Sequence, residues 1–178
     1  MRISRTWAMP NSNTFSIRPI RALIERYIVP TELWIDPFAN NNKFATITND
    51  LDSSFGTDFN DDALIFLKRF KDESVDGVLF DPPYSPRQVS ECYKKHDMSV
   101  NMKTTQASYW GQLKKEIART VKAGGICVTF SWNSGGIGKK HGFKIEEILL
   151  VPHGSWHNDT IVTIERKLTI EDFLQVEG

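Results

Sequence analysis

Asp81-Pro82-Pro83-Tyr84 is the stretch whose residue types and order can do chemistry. It follows Val78-Leu79-Phe80, an apolar run that reads as the end of a buried strand. Two consecutive prolines fix φ twice and remove two backbone donors, so the chain leaves the strand as a stiff extended turn with its carbonyls outward. Asp81 adds an acceptor and Tyr84 a flat aromatic face. An exocyclic amine has two hydrogens to place and needs acceptors for them, and a base drawn from its stack needs a ring to lie on. Asp81 and the Pro82 carbonyl can take the two hydrogens while Tyr84 stacks. The nitrogen lone pair is then turned toward a methyl donor. The plain structural alternative is a Pro-Pro turn with a solvated aspartate.

The elements that must position this turn follow from the hydrophobic pattern. Residues 17–29 carry apolar side chains at helical spacing, with Ser16 as N-cap, Pro19 in the first turn and Pro30 as the stop. Leu33-Trp34-Ile35 predicts a buried strand ending in Asp36-Pro37, and residues 44–48 a second ending at Asn49-Asp50. Asp61-Asp62 opens a helix over 63–70, residues 75–80 form a third strand, and residues 109–121 an amphipathic helix. Gly124-Gly125 precedes another buried strand over 126–130, and residues 145–151 with 160–166 read as a closing hairpin. Residues 1–13 read as irregular. Strands alternating with helices predict an α/β domain with a mainly parallel sheet and a C-terminal antiparallel hairpin. In such sheets ligands sit beyond the carboxyl ends of the strands, where Asp36, Asp50, Asp81, Trp132-Asn133 and residues 153–159 collect. Capping and turns also favour Asp and Asn at those places.

Bulk properties narrow the classes. The 178 residues fit a single domain, and 40% hydrophobic with 25% charged residues suits an ordinary core. Lys plus Arg and Asp plus Glu are both 22, so the net charge is zero and nucleic acid is not held by bulk charge alone. Cys92 and Cys127 have no metal-ligand spacing and read as free thiols of a reducing compartment. His157 and Asp159 lack a third ligand at suitable spacing, so no metal is expected. There is no signal-peptide pattern and no run near the ~20 apolar residues a bilayer span needs, so no membrane is expected and a cytoplasmic location is.

The tetrapeptide resembles that of the amino-group DNA methyltransferases, which modify adenine N6 or cytosine N4 and carry (D/N/S)-P-P-(Y/F/W) after the fourth sheet strand. The form here is the one usual in the adenine enzymes. The resemblance covers most of the chain and implies a Rossmann-like S-adenosylmethionine-dependent methyltransferase fold. It implies Asp81, Pro82, Pro83 and Tyr84 as catalytic. Ile35-Asp36-Pro37-Phe38-Ala39, with Asn40, resembles the family's cofactor motif, and Asp50 falls where an acid binds the ribose hydroxyls. Asp62-Ala63 resembles the segment touching the cofactor adenine, and Thr14-Phe15-Ser16-Ile17 the one closing over the methionine end, with Asp81 also at the cofactor. Small phage-type adenine methyltransferases are similar again over residues 81–88 and in His153-Gly154 with Asn158-Asp159-Thr160. A phage origin would make the location a host's cytoplasm.

Two departures stand out. The glycine loop after Asp-Pro-Phe is replaced by Ala39-Asn40-Asn41-Asn42, and the next strand begins too soon for a crossover helix. Either an irregular loop crosses or one strand is misassigned. Asn40–42 and residues 14–18 are then expected to hold the methionine end together. The chain also has no separate target-recognition domain, which leaves a homodimer or a partner subunit as a source of selectivity. Residues 85–108, with Ser85, Arg87, Gln88 and Lys94 beside Tyr84, read either as a contact for phosphates and bases or as a solvated loop. Trp132, Asn133, His153, Asn158 and Asp159 are further candidates for touching the substrate, against packing and turn roles. DNA is the expected partner. RNA adenine, DNA cytosine N4, and a catalytically silent module binding nucleic acid or a partner are the alternatives.

Overall fold

The seven strands seen lie in one sheet, in the order β1-β6-β7-β5-β4-β2-β3. They are β1 (Arg2–Arg5), β2 (Trp34–Asp36), β3 (Ile47–Thr48), β4 (Val75–Phe80), β5 (Val121–Ser131), β6 (Phe143–Val151) and β7 (Thr160–Lys167). The structure, a computed structural model, describes residues 1–11, 13–83, 107–154 and 158–174. Only β7 runs against its neighbours β5 and β6; every other pairing is parallel. The mainly parallel sheet and the C-terminal hairpin are therefore as expected.

The central strands are apolar on both faces because helices cover both. On one side α1 (Arg18–Tyr27) buries Ile20, Leu23 and Ile24, an i, i+3, i+4 stripe, against Leu79, Val128 and Phe130. On the other, α2 (Ala63–Leu67) and α3 (Ala107–Thr120) pack Phe66, Leu67, Leu113 and Ile117 on Val78, Phe80 and Cys127. A short α4 (Ile170–Leu174) follows β7.

Several elements differ from the sequence reading. Residues 2–5 form an edge strand beside β6, with Ile3 opposite Ile148 and Arg5 opposite Leu150. Their own residues carry no strand pattern, so this strand exists through its partner. The N-cap of α1 is Ile17, with no side-chain cap, and not Ser16. The second predicted strand shrinks to Ile47–Thr48 because Phe44 and Ala45 are drawn into the α1-side core. Gly124-Gly125 lies inside β5 rather than ahead of it: the strand starts at Val121, and Gly124 takes φ +79° where the register with β4 shifts. Residues 37–46 cross from β2 to the parallel β3 without a helix, so the irregular loop is the solution adopted.

Candidate active site

β2 has β3 on one side and β4 on the other, so the connections leaving β2 and entering β4 part at its end. A crevice opens at such a switch point, beyond the carboxyl ends of the strands. Here it is a cleft of about 420 Å³. The loop after β2 contributes Pro37, Phe38 and Asn40, the end of β3 contributes Asp50 and Leu51, and the start of α2 contributes Asp61, Asp62 and Ala63. Asp81, Pro82 and Pro83 form the wall at the end of β4. Asn11, Asn13, Thr14 and Phe15 close one side, and Tyr109 and Trp110 of α3 another.

Local hydrogen bonds fix these walls. Asp50 accepts the Asn40 N–H at 2.8 Å on one carboxylate oxygen and the Asp52 N–H at 2.9 Å on the other, leaving lone pairs on both. Asp62 caps α2 through the Leu64 N–H at 2.9 Å and accepts the Tyr109 hydroxyl at 2.8 Å, which ties α2 to α3 across the cleft. The Asn13 amide donates to Asn41 Oδ1 at 2.7 Å, joining the segment before α1 to the loop after β2. Phe15 is buried, its ring centroid 4.9 Å from that of Phe130.

The loop that stands where glycines were expected is held by a buried polar knot. Asp36 is fully buried and accepts the Phe38 N–H at 2.9 Å and the Asn42 amide at 3.0 Å. Asn42 also donates to Ala39 O at 2.7 Å, and Asn40 adopts φ +52°, a left-handed conformation asparagine tolerates better than most residues. Burial pushes the Asp36 carboxyl from 3.8 up to about 7, with Asp81 and Asp50 adding in the same direction against the Asn42 and Phe38 donors. A carboxyl raised on folding contributes its full stability below its unfolded value and loses it as pH climbs through the folded one. Wild-type stability is thus expected to fall between about pH 4 and pH 7 by up to a few kcal/mol through this group. Asp36→Asn should lack that component. Parallel stability–pH curves for the two proteins in urea unfolding would refute the assignment.

The structure gathers most of the predicted cofactor residues on the cleft: Thr14, Phe15, Pro37, Phe38, Asn40, Asp50, Asp62, Ala63 and Asp81. Ser16 is exposed and donates to Asn13 O at 2.7 Å, Ile17 is buried under the segment, and Asp36 and Ala39 are buried behind the cleft rather than lining it. Tyr84, Ser85, Arg87, Gln88 and Lys94 lie outside the described residues. Asn133 borders a smaller cavity of about 240 Å³ on Pro82, with Lys114 and Thr129 among its walls. Trp132 is 43% exposed at the end of β5. His153 is buried, and Asn158 and Asp159 are exposed, with Asp159 accepting the His153 N–H at 3.2 Å. Asn11, Asn13, Leu51, Asp61, Tyr109 and Trp110 were not anticipated at the site. For Asn13 a signal existed, since it caps the turn Thr14–Ser16. Tyr109 and Trp110 carried none, because only helix packing brings α3 to the cleft. Among the described residues no three His, Cys, Asp or Glu gather to hold a metal, and no helix is long and apolar enough to cross a membrane.

No protein-family model and no curated protein matches the chain. Solved structures do. One is TrmN from Thermus thermophilus, at 16% identity and TM-score 0.55, covering 85% of this chain and 49% of that one. A second is a SAM-dependent methyltransferase from Archaeoglobus fulgidus, at 12% identity and TM-score 0.56, covering 84% and 94%. A third is the 1,6-didemethyltoxoflavin-N1-methyltransferase of Burkholderia thailandensis, solved with its substrate and S-adenosylhomocysteine, at 12% identity and TM-score 0.56, covering 85% and 78%. The fold is that of the S-adenosylmethionine-dependent methyltransferases. The methyltransferase fold here spans about half of the TrmN chain and nearly all of the Archaeoglobus one.

Proposed function

We propose that this chain transfers the methyl group of S-adenosylmethionine to N6 of an adenine drawn out of its stack in DNA. The observation that carries the reading is that Asp81-Pro82-Pro83 leaves β4 as a wall of the switch-point cleft. The cleft suits the cofactor's parts: carboxylates Asp50 and Asp62 for hydroxyls and amines, and apolar Phe15, Phe38 and Ala63 for a flat base. In this reading Asp50 takes the ribose hydroxyls, Asp62 and Ala63 the adenine, and Asn40 with Thr14 and Phe15 the methionine end.

The cofactor supplies an electrophilic methyl, so no covalent enzyme intermediate is required. The protein's share is alignment and charge stabilisation. Asp81 and the Pro82 carbonyl accept the two amine hydrogens, hold the lone pair in line, and stabilise the positive charge that develops on nitrogen. Asp81 need not be a strong base, because the amine loses its proton only after the methyl has arrived.

The deciding experiment is incubation with methyl-labelled cofactor and DNA or RNA of one defined sequence, digestion to nucleosides, and mass measurement. N6-methyldeoxyadenosine is expected. N4-methylcytosine, methylation of RNA in preference to DNA, or no transfer at all would each overturn the reading. Calorimetry checks the cofactor half separately. Asp50→Ala should weaken S-adenosylmethionine binding by about tenfold or more, the scale of a lost hydrogen bond to a charged group. Asn41→Ala, which unties the two segments flanking the methionine end, should weaken it less. Unchanged affinity in Asp50→Ala would remove that residue from the site.

A further inference from the structure

Trp7 is 60% exposed although the chain around it is fixed. Beyond β1 the backbone stays paired with the segment beside it, Thr6 N–H donating to Leu150 O at 3.0 Å and Ala8 N–H to Pro152 O at 3.2 Å. The buried His153 ring pins the same segment, with Nδ1 2.9 Å from Ala8 O and Nε2 2.9 Å from the Thr160 hydroxyl. Gly154 runs so close that a Cβ there would lie 3.4 Å from Trp7 Nε1. A large apolar ring is thus held in water by an ordered support, forgoing the gain that burial would bring. Arg5, two residues earlier on the same extended run, is also exposed, so a guanidinium and an indole leave one face together.

The position of this pair relative to the cleft follows from the sheet. β1, β6, β5 and β4 all point the same way, since β1 parallels β6, β6 and β5 both oppose β7, and β5 parallels β4. Trp7, Trp132 and Asp81 therefore all lie past the carboxyl ends of their strands, along one edge. Three strand spacings separate β1 from β5 and a fourth leads to β4, about 19 Å in all at ~4.8 Å each.

We infer that this edge is a stacking track for an unpaired stretch of nucleic acid, with Trp7 and Trp132 each taking a base and Arg5 a phosphate, leading the strand to the cleft. The inference rests on the proposed function and names the form of its substrate. Stacking on aromatic faces is open to every base but requires the base to be out of a duplex. The charges favour this occupant over a second copy of the chain: antiparallel pairing of two β1 edges would set the arginines at positions 2 and 5 of one copy near those of the other, whereas phosphates are attracted to them.

The test measures binding and methyl-transfer kinetics on a short single-stranded DNA oligonucleotide and on its duplex, for wild type, Trp7→Ala, Trp132→Ala and Trp7→Phe. Wild type should prefer the single strand. Each alanine variant should raise Kd and KM for it by about fivefold or more, the scale of one lost stacked base, while kcat changes little. Trp7→Phe should recover most of the loss, since a phenyl ring still stacks. Unchanged Kd and KM in both alanine variants would overturn the track. So would a change in the protein's own oligomeric state in Trp7→Ala, which would make the surface an interface between copies. The two readings fail separately. Ring-dependent strand binding without any transfer leaves the track and removes the proposed function, and transfer that ignores both tryptophans does the reverse.

Discussion

Asp81→Ala is expected to lower methyl transfer by about a hundred- to a thousandfold, the cost of removing one preorganised group from a developing charge. Affinity for S-adenosylmethionine should stay within a few-fold of wild type. The separation follows from the geometry. Asp81 stands at the end of β4, while the groups assigned to the ribose and adenine come from the end of β3 and the start of α2. Asp81→Asn keeps one oxygen acceptor and should fall between wild type and the alanine variant. Single-turnover transfer with saturating cofactor, read beside calorimetric affinity, checks both halves. Turnover of Asp81→Ala near that of wild type would end the assigned role. A collapse of cofactor affinity would instead make Asp81 chiefly a cofactor residue.

The second large effect is on the frame that brings β2 and β4 together. Trp34 lies opposite Gly77 in the register between those strands and is 1% exposed. A Cβ on Gly77 would come within 2.5 Å of the Trp34 ring, so the indole lies directly over a residue without a side chain. Trp34→Ala should cost about 3–5 kcal/mol, a transfer loss plus a cavity that neighbouring strands cannot fill. Gly77→Ala should cost about 1–3 kcal/mol by overpacking. Urea unfolding should show lower midpoints with similar slopes. A loss under about 1 kcal/mol for Trp34→Ala would mean the site collapses around the smaller side chain. Because these strands run directly into Pro37 and Asp81, transfer should fall along with stability in both variants.

How much could be read in advance depended on the range of the interaction. The strand over 75–80 and the turn after it were legible because a run of buried residues and two prolines act through local sterics. α1 was legible from the spacing of Ile20, Leu23 and Ile24, and α2 from the Asp62 cap. The loop after β2 could be recognised as lacking glycine but not folded on paper. Its shape depends on Asn42 reaching back to a buried Asp36, six residues away. β1 could not be read at all, since residues 2–5 become a strand only beside β6, more than a hundred residues on.

The sequence by itself determined that an acceptor and a stiff extended turn follow β4, because the order Asp-Pro-Pro fixes both within three consecutive residues. It also determined the alternation of strands and helices, since burial periodicity is a property of neighbours along the chain. Only the tertiary structure decided which residues share the cleft. It set Tyr109 of α3 on Asp62 at 2.8 Å, joined Asn13 to Asn41 at 2.7 Å, and withdrew Asp36 from the surface. Those pairings depend on how helices settle on a sheet, a choice made by the packing of the whole core and by no local pattern.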